Sequence, residues 1–311
     1  MIEHTFKVKQ NLVGKRLDLA IVSAGLKLSR RQAKSIIDDG NAFVNGQRIR
    51  ISSRVLNFGD QVRILYHEVK KTPSSVELSS EDILFRKDGI LVINKPSGLP
   101  TQASKETDKN QVLPALSRLW QKQDWRREEF HLIHRLDKNT SGVLVLAEST
   151  EIRHQLEKQF RDRMVEKHYE AICHGKAEET KSLSCRLSAI APHSGKVKVV
   201  SKGGKASETH FELAAYSEEH DVSHVRCQPI TGRSHQIRVH LAYLNTPIVA
   251  DHIYGSKPSE LVTFLGSDYP DRQLLHARSI KLINPVTGSP IKVKSPYPDD
   301  FKFMLDHLGL R

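Results

Sequence analysis

The chain has 311 residues, 38% of them hydrophobic, which allows the core of one large domain and one small one and excludes wholesale disorder. Its longest apolar runs, residues 90–93 and 143–147, have strand length and cannot span a bilayer. Residues 1–9 hold no secretory-type apolar segment, so the expected compartment is the cytoplasm. A net charge of +12 calls for a polyanionic partner, while three scattered cysteines (Cys173, Cys185, Cys227) and 16 histidines without metal-ligand spacing predict free thiols and no metal site.

Residues 1–66 carry 12 Lys and Arg against 5 Asp and Glu, a net of +7. Ser29-Arg30-Arg31-Gln32 reads as a capping box that opens a helix, with Ala33, Ile36 and Ile37 as its buried stripe and Gly40 as its stop. Arg30, Arg31 and Lys34 are left on the other side, near a helix N-terminus whose free amides favour phosphate. Val44-Asn45-Gly46-Gln47 supplies an Asn-Gly hairpin, and Gly59-Asp60 introduces a strand at 61–65. Together with Arg16-Leu17-Asp18, these motifs resemble the S-four-like RNA-binding module over residues 12–65. The resemblance implies a small α/β RNA-binding domain at 1–66. Residues 67–80 are polar and aperiodic, and read as a linker to a domain at 81–311.

In that domain, strands are expected at 83–85 and 90–94, joined by a turn through Asp88-Gly89. More follow at 142–147, 168–173, 197–200, 209–213 and 224–227. Helices are expected at 151–163 and 235–244. Strands outnumber helices and do not alternate with them, which predicts an α+β fold: a mixed, largely antiparallel sheet with flanking helices.

Two segments concentrate polar chemistry. His134-Arg135-Leu136-Asp137-Lys138-Asn139-Thr140-Ser141-Gly142 is a turn feeding the apolar strand Val143-Leu144-Val145-Leu146. Thr231-Gly232-Arg233-Ser234-His235-Gln236-Ile237-Arg238 opens a helix whose apolar face is Ile237, Leu241 and Leu244, with Arg233, Arg238 and His240 off that face. An ordinary capped turn and a surface helix cap are the plain alternatives. With Lys95-Pro96-Ser97-Gly98, Lys167-His168-Tyr169, Gly204-Lys205-Ala206, Pro247-Ile248-Val249 before Asp251, and Leu275-His276-Ala277, the two segments resemble the RluA-type pseudouridine synthase family from about residue 83 to 308.

That resemblance implies cleavage of the bond between uracil nitrogen and ribose, rotation of the base and rejoining through carbon, with no cofactor. It matches Asp137 to the family's catalytic aspartate, Arg233 to the arginine that pairs with it, and Tyr169 to the tyrosine that stacks on the target base. Arg135 matches an arginine that in some members fills the space left by the flipped base, with phosphate binding as the alternative, and Lys167 and Arg238 are expected to order the site or contact RNA. The implied partner is structured RNA, large-subunit ribosomal RNA ahead of transfer RNA, bound by a monomer. A non-catalytic RNA-binding or ribosome-assembly factor is the alternative class, and a paired-carboxylate hydrolase lacks a second carboxylate near Asp137. Three positions depart from the family pattern: Ser234 for threonine, Glu148 for lysine, and Ala250 for glycine.

Overall fold

The structure, a computed structural model, describes residues 2–26, 28, 30–38, 40–66, 76–102, 110–123, 129–192, 194–255 and 260–311. Residues 1–71 with 257–267 form one compact unit, and residues 72–256 with 268–311 form a second. No helix among the described residues is long and apolar enough to cross a membrane.

The first unit runs β1 (Ile2–Lys7), α1 (Leu17–Ser23), α2 (Arg30–Asp38), β2 (Ala42–Val44), β3 (Gln47–Ile49) and β4 (Gln61–Tyr66), with sheet order β1-β4-β2-β3. Asn45 and Gly46 both have positive φ, 51° and 80°, the pair that a two-residue hairpin needs between β2 and β3. Ala33, Ile36 and Ile37 of α2 pack with Leu17 and Ile21 of α1 and with Val44, Val62 and Ile64 of the sheet. Buried Asp18 accepts bonds from Arg16 Nε and Arg30 Nε, each at 3.0 Å, so Arg30 is oriented by an ion pair although most of its side chain is exposed. Lys34 is exposed. Ser29 and the Arg31 side chain lie outside the described residues, as do 67–75 of the expected linker. Its remainder is packed: Val76 and Leu78 join a core cluster of the second unit.

The second unit contains β5 (Ile83–Lys87), β6 (Ile90–Lys95), α3 (Val112–Lys122), β7 (His131–Leu132), β8 (Ser141–Ala147), α4 (Thr150–Arg161), β9 (Glu166–His174), β10 (Thr180–Leu187), β11 (Val199–Val200), β12 (Lys205–Ser217), β13 (Val222–Pro229) and α5 (Gln236–Tyr243). After α6 (Glu260–Leu265), which groups with the first unit, come β14 (Leu275–Ile283), β15 (Pro290–Lys294) and α7 (Asp299–His307). Eleven strands form one sheet in the order β11-β10-β12-β13-β9-β14-β8-β6-β5, with β15 on β14 and β7 on β8. Every pairing is antiparallel except β14 with β8.

β6 and β8 are apolar at every central position because a helix covers each face. Leu91, Ile93, Leu144 and Leu146 meet Val112, Leu116 and Leu119 of α3, while Ile90, Val92, Val143 and Val145 meet Leu156 of α4. Gly142, with φ 110°, sits where β8 crosses close to β14: a Cβ there would lie 2.2 Å from the Ala277 carbonyl oxygen. The loop that precedes β8 is gripped through its backbone. Thr101 Oγ1 donates to the Leu136 carbonyl at 2.8 Å and accepts the Leu136 amide at 3.1 Å. Ser97 Oγ and Arg272 Nη1 both reach the Asn139 carbonyl at 3.1 Å. Lys95, fully buried, donates to the carbonyls of Pro96, Leu99 and Lys138 at 2.8, 2.8 and 3.1 Å.

Gly142→Ala should therefore destabilise the protein by more than ~4 kcal/mol, or prevent folding, since neither strand can withdraw. Gly195→Ala, also at positive φ (66°) but with open space around it, should cost about 1 kcal/mol in urea unfolding.

Burial, helped by the charge of Arg272 and opposed by Asp137, lowers the Lys95 ammonium to about 7. Between about pH 7 and the ordinary lysine value, the folded protein thus holds fewer protons here than the unfolded chain, and this position's contribution rises with pH. Lys95→Met leaves three carbonyls without their buried donor and should cost about 3 kcal/mol or more near pH 7. Urea unfolding at rising pH should show the gap between wild type and Lys95→Met widening by up to ~1.4 kcal/mol per pH unit, and a constant gap would contradict the assignment.

Candidate active site

The gripped loop presents Asp137, whose side chain keeps 21% of its surface exposed. Its Oδ2 accepts Arg238 Nη1 at 2.9 Å. Arg238 is buried and directs Nε and Nη2 to the two oxygens of Asp251, at 2.6 and 2.8 Å. Asp251 is itself fully enclosed and accepts the amides of Ile253 and Tyr254 at 2.9 and 3.1 Å. Burial works against both charges, but the bonds between them prevail: Arg238 holds its proton more tightly than an ordinary guanidinium, and the Asp251 carboxyl stays below its usual range.

This corrects the expectation that Arg233 pairs with Asp137. Arg233 Nε instead donates to the Ala206 carbonyl of β12 at 2.9 Å, and its amide bonds to Gln236 Oε1. The cause lies in the backbone. His235, at φ 55° and ψ 18°, is in the left-handed region, and α5 begins only at Gln236. The rotation from residue 233 to 238 is therefore not helical, and it carries Arg238 to the carboxylates. Nor is one face of α5 polar and open, because Gln236 through Leu241 are all buried. Gln236 ties the turn to β12 through the Glu208 carbonyl and Thr209 Oγ1, both at 2.9 Å, and His240 Nε2 lies 2.9 Å from Ser207 Oγ.

Tyr169 lies on β9 opposite Ala277 of β14, which in turn pairs with Gly142 of β8, so its strand is two away from the one that follows the loop. Burial raises its phenol above the usual range, and the charge of Asp137 adds to the effect. Lys167, two residues earlier, reaches the Thr231 carbonyl at 3.5 Å, and burial lowers it to about 8. Arg135 is exposed, with no ion pair among the described residues. His134 accepts the Val145 amide at 3.0 Å and stacks on Phe160, and burial lowers it to about 3; it is a neutral structural group.

Three groups beside the carboxylate were not anticipated from sequence: Asp251 as the anchor of Arg238, His235 with Nε2 3.9 Å from Asp137 Oδ1, and Tyr254, whose hydroxyl is 2.8 Å from His235 Nδ1. Pro247-Ile248-Val249 ahead of Asp251 was a signal for the first. Ala250 has φ 58°, which explains the pull toward glycine there, and Glu148 is committed to Arg86 at 2.6 Å.

Residues 89–243 match the RNA pseudouridylate synthase family, and residues 15–62 match the S4 domain. A ribosomal large subunit pseudouridine synthase D of Vibrio vulnificus is 32% identical over 96% of this chain and 92% of its own length. Its namesake from Pseudomonas aeruginosa is 30% identical over 99% and 96%. The solved structure of human RNA pseudouridylate synthase domain containing 4 superposes with a TM-score of 0.61 at 28% identity, covering 74% of this chain and 94% of that one. The chain belongs to the RluA-type family of RNA pseudouridine synthases, isomerases that convert uridine in RNA to pseudouridine.

Proposed function

We propose that this enzyme isomerises uridines of large-subunit ribosomal RNA with Asp137 as its covalent catalyst. The observation that carries the reading is the Asp137–Arg238 contact of 2.9 Å: a half-buried carboxylate is held and oriented by a buried cation on one of its oxygens. The other oxygen is free to form a bond to the substrate. The net charge of +12 and the match of residues 15–62 to an RNA-associated module support a structured RNA substrate, and relatives named for the large ribosomal subunit support that class. Tyr169 supplies the aromatic face for the flipped base and exposed Arg135 the group that takes its place in the helix. Arg238, rather than Arg233, is the cation that serves the aspartate, and Lys167 lines the approach to Tyr169.

In this isomerisation the bond from uracil N1 to the ribose carbon breaks and one from uracil C5 to that carbon forms. The C5 proton leaves and N1 gains one, so the RNA keeps its composition. The test is carbodiimide mapping of RNA from cells lacking the gene, after treatment with the pure enzyme. New pseudouridines are expected in large-subunit RNA, and none with Asp137→Asn, because an amide is a poor nucleophile. Activity of Asp137→Asn within about tenfold of wild type, ~1.4 kcal/mol of barrier, would exclude the nucleophile assignment. Modification of transfer RNA alone would exclude the substrate.

The N-terminal module is proposed to hold RNA phosphates through Arg30, Arg31 and Lys34. Arg31→Ala with Lys34→Ala spares the Arg30–Asp18 ion pair and should flatten the slope of log affinity against log salt by roughly 1.5 units. The single-turnover rate at saturating RNA should stay unchanged. An unaltered slope would show that these two side chains do not carry RNA.

A further inference from the structure

Arg238 occupies one oxygen of Asp137, and the other, Oδ1, faces His235 Nε2 at 3.9 Å. The opposite ring nitrogen, Nδ1, lies 2.8 Å from Tyr254 Oη, which also accepts the Val197 amide at 2.7 Å. A phenol that accepts an amide still has its own proton to give, and among the described residues His235 Nδ1 is the acceptor within reach. With that proton given to Nδ1, the proton of the neutral ring stands on Nε2, the nitrogen 3.9 Å from the carboxylate. The two rings meet edge to face, 5.6 Å apart at 78°, and the histidine backbone is held in a left-handed conformation that side chains rarely adopt. Such strain persists where the surroundings over-determine it, often at a site where it serves a purpose.

We propose that His235 and Tyr254 are a positioning pair for the isomerisation: Tyr254 fixes the histidine tautomer, and His235 aims its Nε2 proton at the reactive oxygen of Asp137. The proposal rests on the reading of Asp137 as the covalent catalyst. At 3.9 Å the N–H falls short of a hydrogen bond, so Oδ1 keeps its lone pairs for the substrate. With the other tautomer a bare nitrogen lone pair would face the anion and push it aside. Asp137, Arg238, Asp251 and Arg135 are the charged groups acting on the ring. Burial outweighs the attraction of Asp137 and lowers the imidazole pKa, so the ring stays neutral and its single proton has a defined place. The same Tyr254 ring lies against the Arg238 guanidinium at 5.2 Å, so one aromatic supports both groups that hold Asp137.

A double-mutant cycle tests this. His235→Asn keeps a residue that tolerates left-handed backbone but is too short to face Oδ1; Tyr254→Phe removes only a hydroxyl. Single-turnover rates are measured at saturating RNA extracted from cells lacking the gene, with circular dichroism to verify folding. Each variant should lower the rate about tenfold, less than the ~100-fold of a fully formed oxyanion donor because the contact is longer. The half-saturating RNA concentration should not move. The double variant should be no slower than the slower single, since the hydroxyl acts through the histidine. Additive losses, about a hundredfold together, would mean that Tyr254 supports only the Val197 backbone, and would overturn the proposal. So would a wild-type rate in His235→Asn. Asp137→Asn in the same assay separates the two readings: if it is active, the nucleophile assignment and this proposal fall together, whereas an inactive Asp137→Asn with an additive cycle removes this proposal alone.

Discussion

Arg238 lies between two carboxylates and has donors for both, but only one positive charge. Burying a guanidinium is costly unless its partners are well placed, and Asp251 satisfies that condition with both oxygens and no exposed surface. The two amides that Asp251 accepts fix it to the turn at Ile253 and Tyr254, so the guanidinium plane is set before Asp137 is considered. What remains for Asp137 is one N–H on one oxygen. The guanidinium thus gives two bonds to the enclosed carboxylate and one to the solvent-facing one. A carboxylate in that position is oriented, yet not consumed by its own salt bridge.

The sheet exists around this arrangement. β8 delivers the loop and runs parallel to β14, whereas every other neighbour is antiparallel, so the strand that follows the loop and the strand beside Tyr169 come together at Gly142 and Ala277. Only a residue without a side chain permits that approach. The apolar continuity of β6 and β8, covered on both faces by α3 and α4, supplies the rigidity on which a loop of polar residues can be held to fractions of an ångström.

Much of the fold was legible in local chemistry. Asn45-Gly46 and Asp88-Gly89 have the positive φ pairs that their identities announce, and the strands at 90–95 and 141–147 follow from runs of β-branched and aliphatic residues. α3 is a helix beyond the two expected, although Val112, Ala115, Leu116, Leu119 and Trp120 repeat at helical spacing. β10 carries a comparable signal, since Leu183, Cys185 and Leu187 alternate with Ser182, Ser184 and Arg186 and the burial alternates with them. At the site, Tyr169 stands on a well-defined strand and Asp137 on the loop that feeds one. The choice between Arg233 and Arg238 was not legible, since it turns on one left-handed residue that spacing rules take for helix. Lys95 and Asp251 act through tertiary contacts, across 43 and 13 residues respectively, which no local pattern encodes.

The grip on residues 136–139 is made almost wholly of contacts to backbone carbonyls and amides, from Thr101, Ser97, Lys95, Gly98 and Arg272. Geometry at the aspartate is thereby uncoupled from the identity of its neighbours. Lys138 projects into solvent, and the bonds at 138 and 139 use only main-chain atoms. Replacing those two side chains leaves the main-chain bonds in place, so the surface beside the carboxylate can change while the carboxylate stays where it is.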